Sequence, residues 1–169
     1  MEESPAFGGE QMGSAVMVKG LKETETKLNG ALVLEMVGCY TDEKGSQKYP
    51  EIVLALPQSF PDVGNFIAVV GNENSSELTL SLTSAMKQNP GLPVESLIVS
   101  CKGHEIPETR LSDNSSFWDF EYPAVMITDT SFLRNKNYHT EQDKWDTLDF
   151  GRMSELVRRL LFFLEKAGH

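Results

Sequence analysis

Tyr138 and His139 stand side by side in a polar stretch that runs on through Glu141, Asp143 and Asp146 to Asp149. An imidazole can ligate a metal through either ring nitrogen, and a phenol can donate a hydrogen bond to a developing oxyanion. The stretch follows an apolar run ending at Asp129, and such loops at strand ends are where α/β sheets carry their site chemistry. His139 is therefore read as a metal ligand. Two other features can share that work. Glu2 and Glu3 are adjacent carboxylates whose side chains point in different directions, so one can bind metal while the other moves a proton. Glu35 lies between Leu34 and Met36 in an apolar run. A carboxylate there is paired, protonated or metal-bound, because burying it alone costs several kcal/mol; otherwise it sits at the strand end and reaches water. Two carboxylates and a histidine form a plausible zinc set, since Zn²⁺ takes imidazole nitrogen and carboxylate oxygen.

These residues need elements to position them, and the hydrophobic patterning supplies the elements. Met12 to Leu21 fits a short helix, and Lys22 to Asn29 extends it or links it onward. Ala31 to Gly38 is a near-continuous apolar run and reads as a buried strand. Asp42 to Pro61 is turn-rich. Asn65 to Asn72 reads as a second buried strand. Ser75 or Ser76 then caps a helix to about Lys87, with Leu78, Leu82 and Met86 on one face, stopped by Asn89-Pro90-Gly91. Val94 to Cys101 predicts a third strand, 103–116 a polar loop, Phe117 to Phe120 a helical turn, and Pro123 to Asp129 a fourth strand. Asp149 is placed to cap a last helix, in which Phe150, Met153, Leu156, Val157, Leu160, Leu161 and Leu164 repeat at helical spacing. Strands alternating with helices define an α/β class: a three-layer αβα sandwich around a mostly parallel sheet.

The chain has 169 residues, enough for one domain over 1–169 with a sizeable core. Fifteen Lys and Arg against 25 Asp and Glu give a net charge of −10, which argues against nucleic acid or an anionic membrane as main partner. Cys39 and Cys101 lack a Cys or His at ligand spacing and read as buried free thiols. No apolar run approaches the roughly 18 residues of a membrane span, and no signal-peptide pattern opens the sequence. The chain is thus expected in the cytoplasm by default. Only four strands are recognised and the chain opens at a loop, so elements are expected to be missing before residue 1. Exposed sheet edges are then expected to favour homo-oligomers.

Four blocks in order resemble the co-catalytic di-zinc aminopeptidase family, the zinc exopeptidases related to bacterial leucyl aminopeptidases and glutaminyl cyclases. They are Glu2-Glu3 with Met12-Gly13-Ser14; Leu34 to Tyr40; Ser112 to Trp118; and Asp129-Thr130 through Asn137-Tyr138-His139-Thr140 to Asp149. The resemblance implies a zinc-exopeptidase fold and hydrolysis of N-terminal peptide bonds, with a peptide or small aminoacyl compound as substrate. It implies Glu2 as general base and Glu3, Glu35 and His139 as zinc ligands. Tyr138 would polarise the carbonyl or stabilise the oxyanion, and Asp113 and Asn114 would contact substrate. The sequence departs from the family in three places. Glu35 stands where relatives usually have Asp, and Asn114 where many have His. The His-x-Asp block that supplies one ligand and the bridging carboxylate does not precede Glu2-Glu3. The implied cofactor is zinc, two ions in the family and one or none here. The resemblance therefore implies an N-terminally truncated, impaired aminopeptidase domain or, alternatively, an inactive binding module with the same fold.

Overall fold

A computed structural model describes residues 7–89 and 91–167. Four strands are present: β1 (Ala31–Glu35), β2 (Ile67–Asn72), β3 (Val94–Val99) and β4 (Ala124–Thr128). They form one sheet in the order β1-β4-β2-β3. β1 runs parallel to β4 and β2 parallel to β3, while β2 and β4 are antiparallel. The carboxyl ends of β1 and β4 therefore share one edge of the sheet with the beginnings of β2 and β3.

Alternation along the central strands splits the core in two. Phe66, Ala68 and Val70 of the β2 segment and Ala124 and Met126 of β4 face one side. They pack there against α1 (Gly13–Glu23), the short α2 (Glu51–Leu54) and α4 (Asn114–Asp119). Ile67, Val69, Val125 and Ile127 face the other side, against α3 (Ser76–Lys87) and α5 (Phe150–Ala167). The result is a three-layer α/β sandwich with a mostly parallel sheet. Trp118 locks one layer down, donating from Nε1 to the Ala124 carbonyl at 2.9 Å.

Several local features differ from the sequence expectation, each for a physical reason. β1 ends at Glu35 rather than Gly38 because Met36 takes a left-handed φ of 46°. That turn aims the Met36 carbonyl at the Asp129 N–H, at 2.7 Å. β1 is also an edge and not a buried strand: among the described residues it pairs with β4 alone, and Leu34 is 55% exposed. α3 is not capped by a serine side chain. Asn72 Oδ1 accepts from the Ser75 N–H at 3.0 Å and from Ser75 Oγ, in a 3-10 turn that leads into the helix. Ser75 Oγ instead ties α3 to β4, accepting from the Ala124 N–H at 2.9 Å. The turn-rich segment hides α2, which follows Pro50. The helical turn expected at Phe117 begins earlier, at Asn114. Asp149 does cap α5, Oδ1 accepting from the Arg152 N–H at 2.9 Å. Cys39 is half-buried but Cys101 is exposed, and both are free. No helix of the described residues is long and apolar enough to cross a membrane.

Candidate functional site

Chemistry-bearing residues gather where β1 and β4 end. Register pairs Glu35 with Thr128, Thr128 with Ala68, and Ala68 with Glu95. Side chains paired in register share a face, so these four form one row across the sheet on the side of α1, α2 and α4. The next row inward is Met126, Val70 and Leu97. Above it opens a cavity of about 100 Å³, with Met126, Val70 and Leu97 as floor and Val53, Phe60 and Ile106 in its walls. Glu35 and Tyr138 line the same cavity.

Two loops must converge to bring Tyr138 there, and a polar network holds them. Asp129 is 1% exposed. Its Oδ2 accepts from the N–H groups of Gly38 and Cys39, at 2.9 and 2.6 Å, and its Oδ1 from that of Ser131 at 2.9 Å. Burial pushes its carboxyl up to about 6, against these three donors and the Arg134 guanidinium, which favour the carboxylate. Arg134 is 6% exposed. It donates to the carbonyls of Cys39 and Phe66 and from Nε to Gln47 Oε1 at 2.9 Å, and lies over the Phe66 ring. Gln47 Nε2 in turn donates to Thr130 Oγ1 at 2.9 Å. Gly64 has to be glycine for this arrangement, since a Cβ there would stand 2.9 Å from Arg134 Cδ and Nε. Burial and the Asp129 charge raise the Cys39 thiol above its ordinary range, so it stays neutral.

Backbone strain concentrates at this edge. Met36, Thr130, Ser131 and His139 all have positive φ, from 46° to 75°. For a β-branched residue such as Thr130 this is a genuine outlier, and such strain persists only where surrounding bonds over-determine it. Here the Thr128 hydroxyl, Gln47 and Asp129 do so.

Of the residues singled out in the sequence, Glu35 and Tyr138 are brought to one cavity. His139 is exposed, its ring stacked on Tyr138 with centroids 4.0 Å apart. Glu2 and Glu3 lie outside the described residues. Asp113 is half-buried in a separate groove beside β1, with Ser14 and Met17. Asn114 is fully enclosed, its Nδ2 donating to the Thr109 carbonyl at 2.8 Å. Its side chain thus supports the loop forming the cavity wall. Among the described residues no group of three or more His, Cys, Asp and Glu side chains is arranged to hold a metal ion. The described donors therefore do not compose a zinc site. Sequence reading missed Asp129, Arg134 and Gln47 as the positioning network. A signal existed for the first, a carboxylate closing an apolar strand ahead of Thr-Ser, which is an Asx-turn pattern. None marked Arg134 or Gln47.

No family model matches the sequence. The chain is 38% identical over 163 residues to the uncharacterized protein YfbL of Escherichia coli K12, covering 96% of this chain and 48% of that protein. It thus spans about half the length of that relative. Among solved structures it is similar to the LapA aminopeptidase of Legionella pneumophila, with a TM-score of 0.60 and 19% identity over 90% of this chain and 34% of that one. LapB from the same organism gives a TM-score of 0.63 at 15% identity, covering 92% of this chain and 36% of that one. Likeness at such identity defines the fold: an aminopeptidase-like α/β architecture.

Proposed function

We propose that the chain is part of an aminopeptidase-type peptidase domain, and that it takes the N-terminal residue of a peptide or small aminoacyl compound into the cavity beneath the ends of β1 and β4. The observation that carries this reading is the convergence of Glu35, at the end of β1, and Tyr138, in the loop that follows β4, on one mostly apolar cavity. Such a cavity with a few convergent polar groups is the form ligand sites take. In this reading Glu35 accepts the substrate's α-ammonium and Tyr138 donates from its hydroxyl to the scissile carbonyl. In a zinc-bearing parent, Glu3, Glu35 and His139 are the proposed ligands and Glu2 the proposed base. Asp113 and Asn114, read from the sequence as substrate contacts, play other parts: Asn114 holds the cavity wall through the Thr109 carbonyl, and Asp113 lines the separate groove beside β1.

The second reading, an inactive module that binds without hydrolysing, is favoured by the incomplete donor set among the described residues. Both readings lead us to expect no turnover of alanyl or leucyl p-nitroanilide by this chain alone. Turnover that disappears with chelator would rule out impairment. Metal content after mild purification separates the two: stoichiometric zinc lost in His139→Ala supports the peptidase-derived site, and no zinc under any loading supports the inactive module. Capture of the amine is tested directly by titrating L-alaninamide and N-acetyl-L-alaninamide by NMR in chelating buffer. The free amine should bind about tenfold more tightly, and Glu35→Gln should erase the difference. Equal affinities would sink the aminoacyl reading.

A further inference from the structure

The aminoacyl reading leaves unexplained the charges at the far end of the cavity. Glu95 stands at the opposite end of the row from Glu35, and Glu108, from the 3-10 turn Pro107–Arg110, lines the same wall. Oε2 of Glu108 is enclosed and has no hydrogen-bond partner among the described residues. No Lys, Arg or His among the described residues lines the cavity. The cations nearest in sequence are committed elsewhere: Arg110 pairs with Asp119 at 2.9 Å, and Lys102 Nζ donates to the Asp119 carbonyl at 2.8 Å. Glu95 and Glu108 thus give this end of the cavity two carboxylates and no cation, and a ligand that brings one offsets their charge.

From these observations we propose that the cavity selects a substrate residue with an apolar stem and a cationic tip, of the lysine class, and that Glu95 and Glu108 are its specificity-determining residues. The proposal rests on the aminoacyl reading above, since it places the residue's backbone at the Glu35 and Tyr138 end. Dimensions agree with it. Three strand spacings separate Glu35 from Glu95, roughly 14 Å between Cα atoms. Carboxylate side chains reaching inward from each end narrow that gap to the length of a lysine, whose α-ammonium and side-chain ammonium are separated by Cα and a four-carbon stem. Met126, Val70 and Leu97 beneath offer the stem an apolar bed, and long cationic side chains bury their methylenes in this way. A purely aliphatic side chain would fill the bed and leave the Glu95 and Glu108 carboxylates without a cation.

The test compares L-lysinamide with L-norleucinamide, which lacks the side-chain ammonium, by NMR titration of the chain in chelating buffer. Lysinamide should bind at least tenfold more tightly. Glu108→Gln and Glu95→Gln together should bring the ratio near one. Glu95→Gln alone, on the half-exposed rim where folding is not at stake, should lower it several-fold. Equal or tighter binding of norleucinamide, a preference that survives Glu95→Gln, or no saturable binding of either compound would overturn the proposal. Preference for L-alaninamide over its acetylated form without preference for lysinamide would discard the inference and keep the aminoacyl reading. A lysinamide preference without free-amine discrimination in the alaninamide pair would sink the aminoacyl reading and with it the proposed substrate residue, leaving Glu95 and Glu108 only as acceptors of a cation.

Discussion

At the scale of single residues, Asp129 is the group on which the site's geometry turns, because three N–H donors from two loops converge on its two oxygens. Oδ2 takes two of them and Oδ1 one, so a lone pair of Oδ1 is left for a proton. That geometry agrees with a carboxyl pushed from its ordinary 3.8 up to about 6 by burial. The folded chain then holds this proton more tightly than the unfolded chain does. The contribution favours folding below about pH 4 and is lost as the pH rises through 6, a swing of about 3 kcal/mol. Urea unfolding measured from pH 4.5 to 7.5 should therefore show stability falling with pH across that window. The difference between the chain and Asp129→Asn isolates the group from every other titration, and the fall should vanish in the variant. An identical pH dependence in both would show that Asp129 is not the source.

Elements obey a different logic, in which the periodic pattern gives the type of segment and the surroundings decide what is buried. The last helix shows this most clearly. Its apolar spacing predicts α5 and its cap correctly, yet Leu156 is 1% exposed while Val157 and Leu164 are 54% and 51% exposed. One-dimensional spacing reports that a face is apolar and not whether anything packs on it. The same limit explains β1, whose run of Ala, Leu and Val predicts a strand but not that it forms an edge. β2 and β4 were legible because both of their faces meet helices, so continuous apolar runs and full burial coincide. At the candidate site the sequence singles out Glu35, at the end of β1, and Tyr138, in the loop after β4, and both line the cavity, while the zinc and carbonyl roles it assigns them are proposals. Arg134 and Gln47 were not legible, because their role arises from three-dimensional convergence of loops far apart in sequence. Glu95 was hidden for a related reason: an isolated acid in a short strand acquires meaning only through register with Ala68 and Thr128. The α5 contrast is measurable. Leu156→Ala should cost about 2–5 kcal/mol in chemical denaturation and Leu164→Ala under about 0.5 kcal/mol. Equal losses would mean that the outer stripe of α5 is covered in solution.

At the scale of the whole molecule, among the described residues β1 and β3 are the two edges of the sheet, and β1 is the one with an apolar groove beside it. β1 offers backbone donors and acceptors on the side away from β4, and its sequence, Ala-Leu-Val-Leu-Glu, carries no lysine, proline or bulge to discourage pairing. Exposed Met17 of α1 lines a groove along β1 with Leu34, so the edge has an apolar shoulder beside the strand, which among the described residues pairs with β4 alone. A second copy of the chain meets both needs at once, since two β1 strands can pair antiparallel about a two-fold axis and bring both shoulders together. The net charge of −10 opposes such association at low ionic strength, and salt relieves that opposition. Sedimentation velocity at several concentrations should therefore show dimer growing with protein concentration, and more so at higher salt. Leu34→Lys places a charge on the shoulder and should shift the population to monomer while leaving thermal stability within about 0.5 kcal/mol, as expected for an exposed position. A clean monomer at all concentrations and salts, or a dimer indifferent to Leu34→Lys, would remove the β1 edge as the surface of association.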